Sequence, residues 1–543
     1  MLTRALDACD AKLRDMTKTL AVAVADPQRP GQESADKLHE HGEAALLLAR
    51  LLAEAAAARH LLSIFANRSA ELQKLSHYAA AQVVLNLRAA LVLQGAAFCG
   101  GIEELQLAPE WTAAVVAASA PAVVEALAPW LLQGGASQPS AYALSHDHEE
   151  VRALFRDFGD ERVAPVAEDL HRHDRVIPES LFSAYAEIGA LAITVPDTYG
   201  GQFIDHRSMA LATEELSRAS LGGGGSVITR SEICAKALLK GGTEAQKRHW
   251  LPRIASGKEV VAVAVTEPGA GSDVAALRAT AKKVAGGYLL SGEKTWCTFA
   301  GRASLLLVLA RTGSADSKAK GLTLFLAPKA AVIPPADDHT FAWDNPRGGR
   351  VSGTAIPTVG YRGMHSFTVF FEDFFVADDQ RIGEEGEGFA LQMAGFAGGR
   401  IQTAARACGV MEAAFRAAVR YAQDRTVFGR TLASLPVARR KLCDMAARIA
   451  LSRQMTYAVC DAMDEGRGHG DASLVKLLAC KDAESVTREA MQLHGGMGYS
   501  EEFAVSRYWQ DARVLSIFEG AEEVLAILVI ARAAVRDVLA ARA

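Results

Sequence analysis

Glu519 stands in SIFEGAEEV, with Ile517 and Phe518 ahead of it and Gly520 behind it. A carboxylate held against apolar neighbours loses hydration, which raises its pKa and strengthens it as a general base. By spacing alone the commoner reading is a solvated acid at a helix entry, beside Glu522 and Glu523. The segment VAVTEPGAGSDVAALRA, Val263 to Ala279, runs from a strand-like stretch into a glycine-rich turn whose backbone N–H groups could hold a phosphate. It is not a dinucleotide fingerprint, because G-x-G-x-x-G needs a glycine where Val274 stands and Pro268 precedes the first glycine. Spacing alone makes it an ordinary tight turn. Trp296 and Thr298, in GEKTWCTFAG, could likewise be one half-buried strand face. Gly222 to Gly225 reads as a flexible helix connector, and the glutamates of GEEGEG, Gly383 to Gly388, would repel a phosphate.

Other chemistries find little support. His39 and His41, His146 and His148, and His171 and His173 are i, i+2 pairs, which a helix sends to different faces, so they read as solvated surface histidines and no metal site is expected. No H-E-x-x-H and no G-x-S-x-G occurs. The eight cysteines form no C-x-x-C pair, which is reduced, cytosolic usage.

These residues need a sizeable scaffold. The chain has 543 residues, half of them hydrophobic and 22% charged, which is the balance of a folded multidomain protein. Its 58 Lys plus Arg against 63 Asp plus Glu leave no overall basic surface for nucleic acid or anionic lipid. The N-terminus, MLTRALDACDAKLRD, lacks the apolar core of a secretory signal, so a cytoplasmic location is expected. The uncharged run Trp111 to Val124 falls short of the ~20 apolar residues of a membrane helix, and no membrane segment is expected.

Ala- and Leu-rich runs predict long helices from Glu43 to about Phe98, and QGGASQPS, Gln133 to Ser140, has linker composition. Helical signals resume from Asp147 to Gly257. From Glu259, short β-branched and aromatic runs predict a compact β domain, interrupted by a long irregular insertion from Lys329 to Arg362 that we flag as a specificity element. Helices return from Phe389 to the end as a bundle. The expected division is 1–140, 147–258, 259–383 with an insertion at 329–362, and 384–543: a mainly α chain with a central β domain.

In order, VAVTEPGAGSDVA, GEKTWCTFAGRA, GYRGMHSFTVFFEDFFV, GEEGEGF, DRTVFGR, QLHGGMGYS and RVLSIFEGAEEV resemble the acyl-CoA dehydrogenase family over some 400 residues from about Asp147. The resemblance implies an N-terminal helical domain, a middle β-barrel-like domain and a C-terminal four-helix bundle, here behind an extra N-terminal helical domain. It also implies FAD and the oxidation of an acyl-CoA thioester to the trans-2-enoyl-CoA. Glu519 matches the family's catalytic base; the other helix used for it in some relatives carries Gly399 there, just before Arg400. Trp296 and Thr298 match flavin contacts, and Val265, Thr266 and Ser272 match contacts to the isoalloxazine ring and pyrophosphate. Arg425, Phe428, Gln492, Gly495 and Gly496 match segments that reach the FAD of a neighbouring subunit, implying a homodimer or homotetramer. Electron-transfer flavoprotein is the implied electron acceptor.

Several positions depart from the family pattern: Ala521 and Glu523 after the base, Pro436 after the FG motif, and Gln510 before Asp511. The extension, the insertion, TRSEI and GYRGM are unlike the short- and medium-chain members and resemble a branch whose acyl group carries a free carboxylate. A carboxylate in an apolar pocket needs a cation. Arg230 is the first candidate and Arg400 a further substrate contact, with Arg347, Arg350 and Arg362 as second choices.

Overall fold

The computed structural model describes residues 1–29, 31–94, 105–331, 339–468 and 470–541. They form two compact units, Met1–Glu150 with Thr403–Ala543, and Val151–Gln402. One boundary falls inside a single helix, Gly388–Asp424.

The second unit is built on a sheet of nine strands: β1 Val261–Ala264, β2 Thr280–Val284, β3 Gly287–Thr298, β4 Leu305–Arg311, β5 Leu322–Pro328, β6 Thr340–Asp344, β7 Arg350–Ala355, β8 Ser366–Ala377 and β9 Arg381–Ile382. The order is β6-β7-β8-β3-β2-β4-β5-β9, with β1 parallel to β4. LLLVLAR of β4 is buried throughout, the continuous apolar run of a strand covered on both faces. One face packs Leu305, Leu307 and Leu309 against Ile233, Leu238, Leu251 and Ile254 of helices Val227–Gly241 and Glu244–Ala255. The other packs Leu306 and Val308 against Tyr288, Phe325, Phe367 and Phe374. Helix starts are written in the sequence: Asp205 accepts from the Ser208 N–H at 2.6 Å, and Thr243 with Gln246 forms a reciprocal capping box.

The insertion expected to be irregular contains two ordered strands. Its residues Thr340–Asp344 and Arg350–Ala355 form an antiparallel hairpin that extends the sheet, pairing Arg350 with Glu372 through Ala355 with Phe367. The low hydrophobicity that hid these strands reflects their place: β6 is an outermost strand, with residues on one side open to water. Residues 332–338 of the insertion lie outside those described.

Gly222 to Gly225 is also not a flexible connector. It is a buried helical turn, and a Cβ on Gly222 would stand 1.9 Å from the Arg362 carbonyl oxygen. At Gly222 the backbone of Arg362 leaves no room for a side chain, and a Cβ on Gly225 would stand 2.4 Å from Ser217 Oγ.

The first unit is helical. Leu2–Val24, Gly42–Phe65, Ala70–Gln94, Pro109–Ser119 and Pro121–Leu132 pack with Pro436–Asp464, Asp471–His494, Val505–Leu515 and Arg532–Ala540. Ala49 contacts a cluster with Leu477, Ala526 and Ile530, flanked by Leu46, Leu52 and Leu474. Polar ties join the same segments: Arg440 Nη1 donates to Tyr78 Oη at 2.8 Å, and Gln454 Nε2 to the Ala141 and Tyr142 carbonyls at 3.1 Å each. The linker-like Gln133 to Ser140 holds a helical turn, Gly135–Ser137, and Gly135 abuts the Trp130 indole.

The membrane expectation needs a correction of length. The span Pro109–Leu132, 24 residues, is long and apolar enough to cross a membrane by length and composition. The extended backbone of Ala120 (ψ 150°) before Pro121 divides it into helices of 11 and 12 residues.

Candidate active site

Two bulges in β3 re-aim its side chains against β8. Between the pairs Lys294–Val369 and Cys297–Phe367, two residues of β3 face one of β8, and Trp296 is one of them, with φ +58°. That conformation is costly for a non-glycine residue and turns the indole outward, 56% exposed. Two residues on, Thr298 Oγ1 lies 2.9 Å from Ser366 Oγ. Phe299, next in the chain, donates its N–H to the His365 carbonyl at 2.7 Å.

The glycine-rich turn sits beside this bulge. Thr295 donates its N–H to the Thr266 carbonyl at 2.8 Å, and Glu267 and Ala270 close the turn with paired backbone hydrogen bonds. Beneath it lies a buried ion pair that the sequence reading missed. Lys294 Nζ is 2.8 Å from Glu267 Oε1 and donates to the Val265 carbonyl at 3.0 Å, while Glu267 also accepts from the Arg278 and Ala279 N–H groups. Burial lowers the Lys294 pKa, and the Glu267 carboxylate opposes that shift only in part. The signal available in sequence was a lysine two positions from Trp296, inside an otherwise half-apolar strand. Val265 is buried, Thr266 half-buried and Ser272 exposed. An outward indole, a hydroxyl and a turn hydrogen-bonded to the same strand fit the flat isoalloxazine ring of FAD.

Arg230 is 8% exposed, not on the surface where arginine usually lies. Its guanidinium stacks 5.7 Å over the Phe299 ring and reaches Met364 Sδ at 2.8 Å, in a cavity lined also by Phe182, Leu191 and Val227. Arg400 is half-buried on helix Gly388–Asp424. Of the second choices, Arg347 lies over the Phe375 ring at 4.4 Å, and Arg350 donates to Asp344 at 3.1 Å. Arg362 donates to the Thr358 and His171 carbonyls at 3.0 and 2.8 Å.

The histidines hold one surprise. His171 is buried, and Asp174, His339 and His365, none of them paired in sequence, bring a ligand-type atom each within 4.8 Å of the others. The Arg362 guanidinium, 3.5 Å from Asp174 Oδ1, already supplies a cation to this carboxylate.

Glu519 lies in the other unit, between helix Val505–Leu515 and the short helix Glu522–Val524. Its backbone is left-handed, φ +54°, followed by Gly520 at φ +100°. Its side chain is half-buried. The turn is anchored by Lys476, which donates to the Gly520 carbonyl at 2.7 Å, and by the Glu522 N–H on the Ser516 carbonyl at 3.1 Å. A Cβ on Gly520 would meet Leu525 at 2.7 Å. Burial acts to raise the Glu522 carboxyl, but hydrogen bonds from Arg50 and Lys481 outweigh it and hold it below the ordinary range.

The residues expected to reach a neighbouring subunit are all exposed in this first unit. Phe428, 95% exposed, caps a two-residue turn with Gly429 in the hairpin Thr426–Val427 and Arg430–Thr431, where both φ values are positive. Arg425 precedes it, and Gln492, Gly495 and Gly496 lie at the end of helix Asp471–His494.

The chain matches the acyl-CoA dehydrogenase N-terminal domain over residues 145–258, the middle domain over 262–374 and the C-terminal domain over 386–535. It is 40% identical over 394 residues to the (2S)-methylsuccinyl-CoA dehydrogenase of Cereibacter sphaeroides, a match spanning 72% of this chain and 70% of that protein. Among solved structures, butyryl-CoA dehydrogenase from Megasphaera elsdenii is 30% identical with a TM-score of 0.65, covering 71% of this chain and 97% of that one. The structure described as the electron transferring flavoprotein of Acidaminococcus fermentans is 31% identical with a TM-score of 0.66, covering 72% and 98%. With all three of its domains matched in order along 145–535, the chain belongs to the acyl-CoA dehydrogenase family of FAD-dependent oxidoreductases.

Proposed function

We propose that this acyl-CoA dehydrogenase oxidises (2S)-methylsuccinyl-CoA to mesaconyl-CoA, the step used by the ethylmalonyl-CoA pathway. The observation that carries this reading is the 40% identity to an enzyme of that name, against 30% to a butyryl-CoA dehydrogenase. The 40% match leaves a segment of both chains outside it, so both are longer than the shared core. Arg230, a buried cation among apolar side chains, supports a pocket that takes an acyl group with a free carboxylate.

An α-proton beside a thioester is feebly acidic, so its removal needs a base and a donor to the carbonyl oxygen as charge develops there. Glu519 serves as the base and its own N–H as one donor. Trp296, Thr298, Val265, Thr266 and Ser272 are the residues that would hold the flavin of FAD. FAD, when bound, accepts the hydride that leaves the β-carbon. Arg425, Phe428, Gln492, Gly495 and Gly496 reach the cofactor of a second copy in a homodimer or homotetramer, which makes exposed Phe428 an interface residue. Arg400 is a further substrate contact. Electron-transfer flavoprotein receives the electrons, and the buried cysteines suit a cytoplasmic enzyme. The proposed domains are 1–140, 147–258, 259–383 and 384–543.

The test is an anaerobic titration of the holoenzyme with (2S)-methylsuccinyl-CoA, butyryl-CoA and isobutyryl-CoA, following the visible flavin band. Preferential bleaching by methylsuccinyl-CoA is expected, and Arg230→Ala should lose that reaction far more than the reaction with an uncharged acyl group. Bleaching by the other thioesters alone would make the enzyme a short- or branched-chain acyl-CoA dehydrogenase.

A further inference from the structure

The turn that carries Glu519 is gripped by three cations inside one compact unit, and one of them comes from the N-terminal extension. Lys476, 1% exposed, bonds the Gly520 carbonyl at 2.7 Å, immediately after Glu519. Lys481 on the same helix is 3.1 Å from Glu522 Oε2. Arg50, from helix Gly42–Phe65, donates from Nε to Glu522 Oε1 at 3.2 Å and from Nη2 to the same oxygen. The Glu522 N–H on the Ser516 carbonyl closes the segment, so Glu519 and the Glu522 carboxylate are borne by one short turn.

The extension reaches this turn on a broad footing. A Cβ on Gly42 would meet Ile527 Cδ1 at 3.4 Å, Ala49 packs with Ala526 and Ile530, and Glu33 accepts hydrogen bonds from Arg532 and Arg536. A glutamate at φ +54° is strained and persists only where its surroundings over-determine it. Lys476 secures the Gly520 end of the turn, and the Glu522 end is held both by Lys481 and, from outside the segments shared with other family members, by Arg50.

We propose that Arg50 is a positioning residue for the catalytic turn: its paired hydrogen bonds to Glu522 hold the backbone conformation that presents Glu519. The inference rests on Glu519 being the base. It gives the N-terminal extension a part in the chemistry of its own chain.

The test uses full-length holoenzyme and anaerobic stopped-flow reduction of the flavin by (2S)-methylsuccinyl-CoA, or by whichever thioester bleaches it. Arg50→Met is expected to lower the limiting reduction rate about tenfold or more, while half-saturation shifts by no more than roughly twofold. Arg50→Lys should recover much of the rate. Arg59→Met, on the same helix but tied to Asp7 and Asp10, reports general loosening of the extension and should leave the rate unchanged. Equal losses in Arg50→Met and Arg59→Met, or a wild-type rate in Arg50→Met while Glu519→Gln is inactive, would overturn the proposal. Wild-type reduction by Glu519→Gln would instead overturn the base assignment. If Arg50→Met does not fold, Glu522→Gln weakens the same link without changing shape, and must show the same selective loss for the proposal to stand.

Discussion

Lys294 has no exposed surface, and its ammonium faces the Glu267 carboxylate 2.8 Å away. The pair joins β3 to the turn after β1, so one interaction sets both Trp296 and the Val265–Thr266 backbone. Replacing only the lysine leaves a carboxylate buried with N–H partners but no cation. Lys294→Met should therefore cost about 3–5 kcal/mol and release FAD, whereas the double variant with Glu267→Gln recovers much of the stability because no charge is stranded. Thermal unfolding and FAD content measured on both variants check this; equal losses would show that the pair does not act as a unit. Glu519 and Trp296 share a property at this scale: both are non-glycine residues held at positive φ. Such backbone strain concentrates where a side chain must point somewhere its element would not send it.

Elements succeed here by what they lay against one another. Glu33 ends the short connection after helix Leu2–Val24, and its 5% exposure comes from cover by the last helix. Burial alone would raise its carboxyl, but hydrogen bonds from Arg536 and Arg532 outweigh that and bring it from 4.5 to about 2. A depressed carboxyl stabilises the fold in full above about pH 4.5, and this contribution is lost as pH falls through about 2. The stability gap between wild type and Glu33→Gln should be flat from pH 7 to about 5 and much smaller at pH 3, read from urea midpoints. An equal gap at pH 7 and pH 3 would contradict the clamp. The hairpin β6–β7 shows the same dependence on neighbours, since its few apolar residues become strand by pairing with β8.

At the scale of the whole molecule, residues 1–150 belong to the same compact unit as the C-terminal helices. Leu46, Ala49 and Leu52 cover Leu474, Leu477, Ala526 and Ile530. Deleting residues 2–140 bares that apolar surface, so the truncated chain should not accumulate as soluble, FAD-containing protein; a yellow, fully active truncation would mark the extension as a detachable module. The sequence by itself determined the family and the succession of helical and β regions, because seven ordered motifs and the change from helical to strand periodicity are local records. It also singled out Glu519, Trp296 and Thr298, through motifs that survive as short strings. Tertiary structure alone decided what depends on pairing across long separations. The Lys294–Glu267 pair, the Asp174–His339–His365 group, the burial of Arg230, the packed Gly222 turn and the reach of Arg50 to Glu522 all join residues from separate elements. No periodicity or spacing encodes such contacts, because they exist only once the chain has closed on itself.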